Sequence, residues 1–127
     1  MELKEFQDAM NAVATGLEAH RRTFTALGDE NRQRILLELL RNYGGLRVNE
    51  IAEAINLSRP ATSHHLKTLR EAGLVDMYER GTMNFYHATS SAAEWADIAR
   101  VAEAISKLCG QCTHRTRDQI AAAQRDT

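Results

Sequence analysis

Long apolar runs are missing from this chain of 127 residues; none reaches the roughly 18 residues that a membrane-spanning helix requires. The opening Met1-Glu2-Leu3-Lys4-Glu5-Phe6 lacks the basic-then-apolar order of a secretory signal. A cytoplasmic location without a membrane partner is therefore expected. Cysteine is scarce, at two residues, and in a reducing compartment such a pair serves as thiols, ligands or a redox couple rather than a structural staple. Proline occurs once, at position 60. Candidate nucleophiles and bases exist in Cys109, Cys112, His114 and His64, but no glycine-rich phosphate loop, nucleophile elbow or metal-histidine helix accompanies them. No enzyme is expected. An excess of positive charge is missing too: the formal net charge is −1. That excludes a strong polycation, and any nucleic-acid contact must concentrate its cations on one face, which a dimer would double.

What is present suits a single compact domain, with 43% hydrophobic residues to fill a modest core. Leu3, Phe6, Met10, Val13 and Leu17 recur at steps of three and four, the spacing of a helix over residues 1–20 that buries a narrow stripe against a partner helix. Ordinary core packing would give the same spacing. Asp29 is placed to cap a helix that carries Ile35, Leu36, Leu39 and Leu40 inward, and Asn42-Tyr43-Gly44-Gly45 ends it.

Residues 46–89 read as one continuous module. Val48, Ile51, Ala52 and Ile55 form the apolar side of a short helix, and Leu57 plugs the angle to the next. Ser58 is a natural N-cap for a second helix from Arg59 to Ala72, Pro60 sits in its first turn, and Gly73 stops it. Thr62, His65, Leu66, Leu69 and Ala72 fall on one side of that helix; Arg59, Ser63, His64, Lys67 and Arg70 fall toward the other. His65, at the border, is expected to be packed or bonded to backbone. A short helix, a tight turn and a longer helix with polar residues outward is the pattern that sets side chains against base edges in a major groove. Two strand-like runs around Arg80-Gly81-Thr82 then form a hairpin, whose Arg80 and Asn84 are in reach of phosphate or a minor groove. The expected fold class is mainly α (α+β): five or six helices with a two-stranded β-hairpin wing.

Ser91-Ala92-Ala93-Glu94 has the form of a capping box for a helix over 91–109 on which Trp95, Ile98, Ala102 and Ile105 line up, ending near Gly110. Residues 110–127 read as a polar tail. Cys109 and Cys112, with His114 behind them, have the spacing to share one metal ion or to close into a disulfide. The plain alternative, an incidental cysteine pair at a helix end, stays open.

Three blocks, Phe24 to Leu36, Leu57 to Leu66 and Leu69 to Val75, resemble in order and spacing the ArsR/SmtB family of bacterial winged-helix repressors. The resemblance covers roughly residues 22–90. It implies a homodimer, joined through the stripe of Leu3, Phe6, Met10, Val13 and Leu17 and that of Trp95, Ile98, Ala102 and Ile105, which binds operator DNA and is released by a small inducer. It also implies contacts with bases and nearby phosphates by Arg59, Ser63 and His64, with Arg59 suited to a guanine; Lys67 and Arg70 are placed for phosphate, and Ser58, Pro60, Thr62, Arg80 and Asn84 complete the expected DNA-facing set, a merely solvated arginine being the plain alternative at Arg80.

The chain departs from metal-sensing relatives in two places. The cysteine pair that many carry at the start of the first motif helix is absent from Leu46-Arg47-Val48-Asn49-Glu50, and between Ser91 and Leu108 there is no histidine to join Glu94, Asp97 and Glu103. No resident cofactor is required; a soft metal ion, a metalloid or a reversible disulfide at Cys109 and Cys112 is the expected inducer chemistry. A regulator without an inducer, and a winged helix acting as a protein-protein adaptor, are the competing expectations.

Overall fold

The computed structural model describes residues 2–89 and 91–113, together with residues 121 and 124, with residues 111–113 described as backbone. Six helices and one antiparallel hairpin run in the order α1 (Leu3–Ala19), α2 (Arg21–Leu27), α3 (Glu30–Arg41), α4 (Val48–Ile55), α5 (Arg59–Glu71), β1 (Val75–Arg80), β2 (Met83–Ala88) and α6 (Ala92–Thr113). None of the described helices is long and apolar enough to cross a membrane. The chain divides into two compact units: α1 with α6, and the stretch His20–Ala92.

The larger unit is built by caps and turns acting on short segments. Asp29 accepts a hydrogen bond from the Arg32 amide at 3.0 Å and opens α3. Ser58 Oγ accepts from the Ala61 amide at 3.2 Å and opens α5, with Pro60 in the first turn where a missing N–H does no harm. Asn56 takes the left-handed conformation (φ 55°) at the end of α4, and Gly73 (φ 77°) does the same just past α5. Between these stops, Ile35, Leu39, Ile51, Ile55, Leu66, Leu69, Leu74 and Val75 meet in one buried core, with Leu57 packed against it from the turn.

Two expectations are corrected here. Leu40 is not inward but 61% exposed; at 100° per residue it lies well round the helix from the Ile35–Leu39 line that faces the core. The hairpin turn is tighter than Arg80-Gly81-Thr82. Arg80 pairs with Met83 as the last ladder position, leaving the two-residue turn to Gly81 and Thr82, with Gly81 at φ 65°.

The hairpin is fastened to the chain before α4. Leu46 exchanges two backbone hydrogen bonds with Tyr86, at 2.9 and 2.8 Å, and the Tyr78 hydroxyl donates to the Gly44 carbonyl at 2.6 Å. Gly45 permits this approach: its φ is 93°, and a Cβ there would sit 3.0 Å from the Tyr86 carbonyl oxygen.

In the smaller unit Gly16 is the one buried residue of α1, and a Cβ at this position would overlap the Val101 side chain of α6. The absent side chain is what allows the two helices to touch at this point. Leu3, Phe6, Met10 and Leu17 stay exposed, as do Trp95 and Ile105 on α6. The expected end of α6 near Gly110 is also corrected: the helix continues to Thr113. A single interior glycine costs a helix only about 1 kcal/mol relative to alanine, too little to halt it.

Candidate nucleic-acid interface

The second helix of the helix-turn-helix, α5, is held by its inner face. Leu66 and Leu69 have no exposed surface, and they fix the helix against α3 and α4 through the common core. Burying each leucine contributes about 1.5–3 kcal/mol, so apolar packing is the main constraint on the orientation of the outer face.

Thr62 belongs to this inner face as well. Its side chain is fully buried and its hydroxyl donates to the Ser58 carbonyl at 2.8 Å. The expectation that Thr62 contacts nucleic acid is therefore corrected: a residue with no accessible surface holds the first turn of the helix and reaches nothing outside it. His65 is half-buried, in keeping with the packed alternative. Its Nδ1 lies 3.4 Å from the Arg32 guanidinium, a side chain and not backbone.

Arg32 was not singled out by motif or spacing, yet it ties three segments together. Its Nε donates to the Ala26 carbonyl at 2.6 Å, a terminal nitrogen donates to the Thr25 carbonyl at 3.2 Å, and the other meets His65 on α5. The end of α2, the start of α3 and the middle of α5 are thus linked by one guanidinium. Its only local signal is its place three residues after the capping Asp29.

The outer face of α5 carries Arg59, Pro60, Ser63, His64, Lys67 and Arg70, all exposed. Arg59, Ser63, Lys67 and Arg70 follow a four-four-three spacing, which makes a single stripe about 16 Å long at 1.5 Å per residue. Arg59 and Lys67 make no hydrogen bond or ion pair with any described residue. Arg70 shares its charge with Asp76 at 3.6 Å, a half-exposed pair worth little against a stronger anion. Ser58 uses its oxygen as the cap acceptor but keeps an O–H to donate outward. At the hairpin, Arg80 and Asn84 are exposed, with Asn84 opposite Glu79 in the ladder.

Two carboxylates have their proton affinity set by the same framework. The Arg32 amide, opposed by desolvation and aided by the Arg32 charge, holds Asp29 below its ordinary value. Glu50 is lowered by the Arg47 amide first and then by the Arg47 side chain at 3.0 Å.

The cysteine pair belongs to the other unit, on α6. Cys109 is an exposed free thiol on α6; Cys112 falls within the helical backbone of α6, and His114 lies outside the described residues. Among the described residues no group of three or more cysteine, histidine or acidic side chains gathers in a way that would hold a metal ion.

Residues 29–77 match the family model described as bacterial regulatory protein, arsR family. An HTH-type transcriptional regulator of Methanocaldococcus jannaschii is 41% identical over 64 residues, half of this chain and 71% of that protein. The arsenic resistance transcriptional regulator ArsR1 of Pseudomonas putida is 36% identical over 74 residues, 58% of this chain and 57% of that protein. Among solved structures, an ArsR-like transcriptional regulator from a Rhodococcus species superposes with a TM-score of 0.66 at 28% identity, covering 88% of this chain and 93% of its own.

Proposed function

The chain belongs to the arsR family of bacterial regulatory proteins and is a DNA-binding transcriptional regulator, not an enzyme; from this premise we propose that it works as a homodimeric repressor that reads its operator with the outer face of α5. The carrying observation is the two-sidedness of that helix: Thr62, Leu66 and Leu69 are buried, while Arg59 and Lys67 project with no partner among the described residues. Arg59 reads a guanine through its bidentate guanidinium, Ser63 and His64 contact neighbouring base edges, and Lys67, Arg70 and the Ser58 hydroxyl hold phosphate. Arg80 and Asn84 extend the contact from the wing. Pro60, without an N–H, offers only apolar surface.

Dimerisation uses the apolar stripes of α1 and α6: Leu3, Phe6, Met10, Val13 and Leu17 on one, Trp95, Ile98, Ala102 and Ile105 on the other. Six of these are large apolar side chains at least a third exposed, more than a monomer leaves on one pair of helices without a partner. A dimer sets two reading helices about 34–36 Å apart along DNA.

The control point in this reading is the Cys109–Cys112 pair. With α6 helical through Thr113, positions 109 and 112 lie one turn apart on one face. A thiophilic ion or an oxidant engaging both thiols acts there on the last turn of α6.

Fluorescence anisotropy on the duplex upstream of the chain's own coding sequence tests the reading. Binding weakens with salt at a slope of about −0.9 per phosphate contacted, and arsenite, cadmium or peroxide releases the DNA. Duplex affinity that is absent at low salt would sink the proposal and favour a protein adaptor; release that survives Cys109→Ser/Cys112→Ser would remove the cysteine pair.

A further inference from the structure

The larger unit carries a recess beside the C-terminal end of the reading helix α5. Between α2 and the C-terminal half of α5 lies a groove of about 490 Å³, within the usual span of small-molecule sites, about 300–1,000 Å³. Its floor is apolar and made of small residues: Ala26 is buried and Ala72 half-buried. Its walls are polar. Arg21 and Arg22 enter from α2 and Glu71 from α5, with the hydroxyl-bearing Thr25 and Thr68 between them.

Three features make this recess more than a dent. The side chains of Arg21, Arg22 and Glu71 make no hydrogen bond or ion pair with any described residue. The wall is pinned from behind, because Arg32 holds the carbonyls of Thr25 and Ala26 without engaging either groove arginine. Side chains no larger than alanine and threonine leave room over the floor for a compact apolar body.

The charge pattern selects the ligand. Two guanidinium groups against one carboxylate leave a net single positive charge, which suits a monoanion and repels neither its apolar body nor its counter-group. Guanidinium binds carboxylate oxygens in a bidentate fork. We propose that this groove is a binding site for a small organic carboxylate with a compact apolar body, held through its oxyanion by Arg21 and Arg22. Phosphate shares the oxyanion chemistry but brings a second charge toward Glu71. The ligand bridges α2 to the C-terminal end of α5, the helix that carries Arg59 and Lys67. The site is independent of the cysteine pair.

The test uses the full chain, labelled with nitrogen-15, and benzoate as probe at constant ionic strength, with acetate and inorganic phosphate titrated in parallel. Benzoate is expected to give saturable shifts at the amides of Thr25, Thr68 and Glu71. Arg21→Ala/Arg22→Ala weakens that binding by about tenfold or more, the worth of one charge-assisted hydrogen bond, and leaves the circular dichroism spectrum unchanged because neither residue supports the fold. Glu71→Gln strengthens phosphate more than benzoate. Shifts that do not saturate, that persist in the double variant, or that acetate and phosphate reproduce at equal concentration would overturn the proposal.

Discussion

Gly16→Ala sets two known effects against each other at one atom. Alanine in a helix interior is favoured over glycine by about 1 kcal/mol, so propensity alone stabilises α1. Against this, the new Cβ would lie 3.3 Å from Val101 Cβ and 3.4 Å from its Cγ1, and would overlap Cγ2 outright. Val101 is 5% exposed and β-branched, with one strongly preferred rotamer in a helix, so it cannot swing aside. The helices must separate, and overpacking of this kind costs about 1–3 kcal/mol. The balance is a net destabilisation of up to about 2 kcal/mol, the difference between those two ranges. Urea denaturation of four proteins (parent, Gly16→Ala, Val101→Ala and the double variant) reads it. Removing the two valine methyls makes room for the alanine, so the double variant should be more stable than the sum of the singles by about 1–2 kcal/mol. Size-exclusion chromatography alongside should show Gly16→Ala shifting toward monomer. A Gly16→Ala protein more stable than its parent, with an additive cycle, would refute the close crossing of α1 and α6.

Arg59→Ala should leave stability unchanged, since the side chain has no partner among the described residues, and weaken operator binding by about 1–3 kcal/mol per half-site with relaxed base preference; competition anisotropy against single-base operator variants measures both. Lys67→Ala should weaken all duplexes alike and reduce the salt slope by about one per contact. Leu66→Ala, which empties a position with no exposed surface, should cost about 2–5 kcal/mol in chemical denaturation, and Leu66→Met under about 1.5. Acid should weaken the fold through Asp29 and Glu50: both are lowered by hydrogen bonds made when folded, so their contribution is full above the ordinary carboxylate range and lost as pH falls through the lowered values. A thermal melting series from pH 6 to about pH 3 should show that loss diminished in Asp29→Asn; an unchanged profile would remove Asp29 from the acid response.

Much of this molecule was legible because its signals are local. Asp29 and Ser58 cap, Gly73 stops and Pro60 starts through interactions that span three or four residues, so type and spacing suffice to announce them. The alternation of Arg59, Ser63 and Lys67 with Thr62, Leu66 and Leu69 is equally plain, being a property of one helix. Thr62 belongs with them: its place beside Leu66 on the helix and its hydrogen bond to the Ser58 carbonyl four residues back are both local. Locality fails at Arg32, Gly16 and Gly45. A guanidinium that gathers two carbonyls and a histidine, a helix crossing without a side chain, and a loop that pairs with Tyr86 all join residues far apart along the chain. Short-range hydrogen bonding is written in the order of residues; which distant surfaces meet is decided only when burial of the apolar core brings them together.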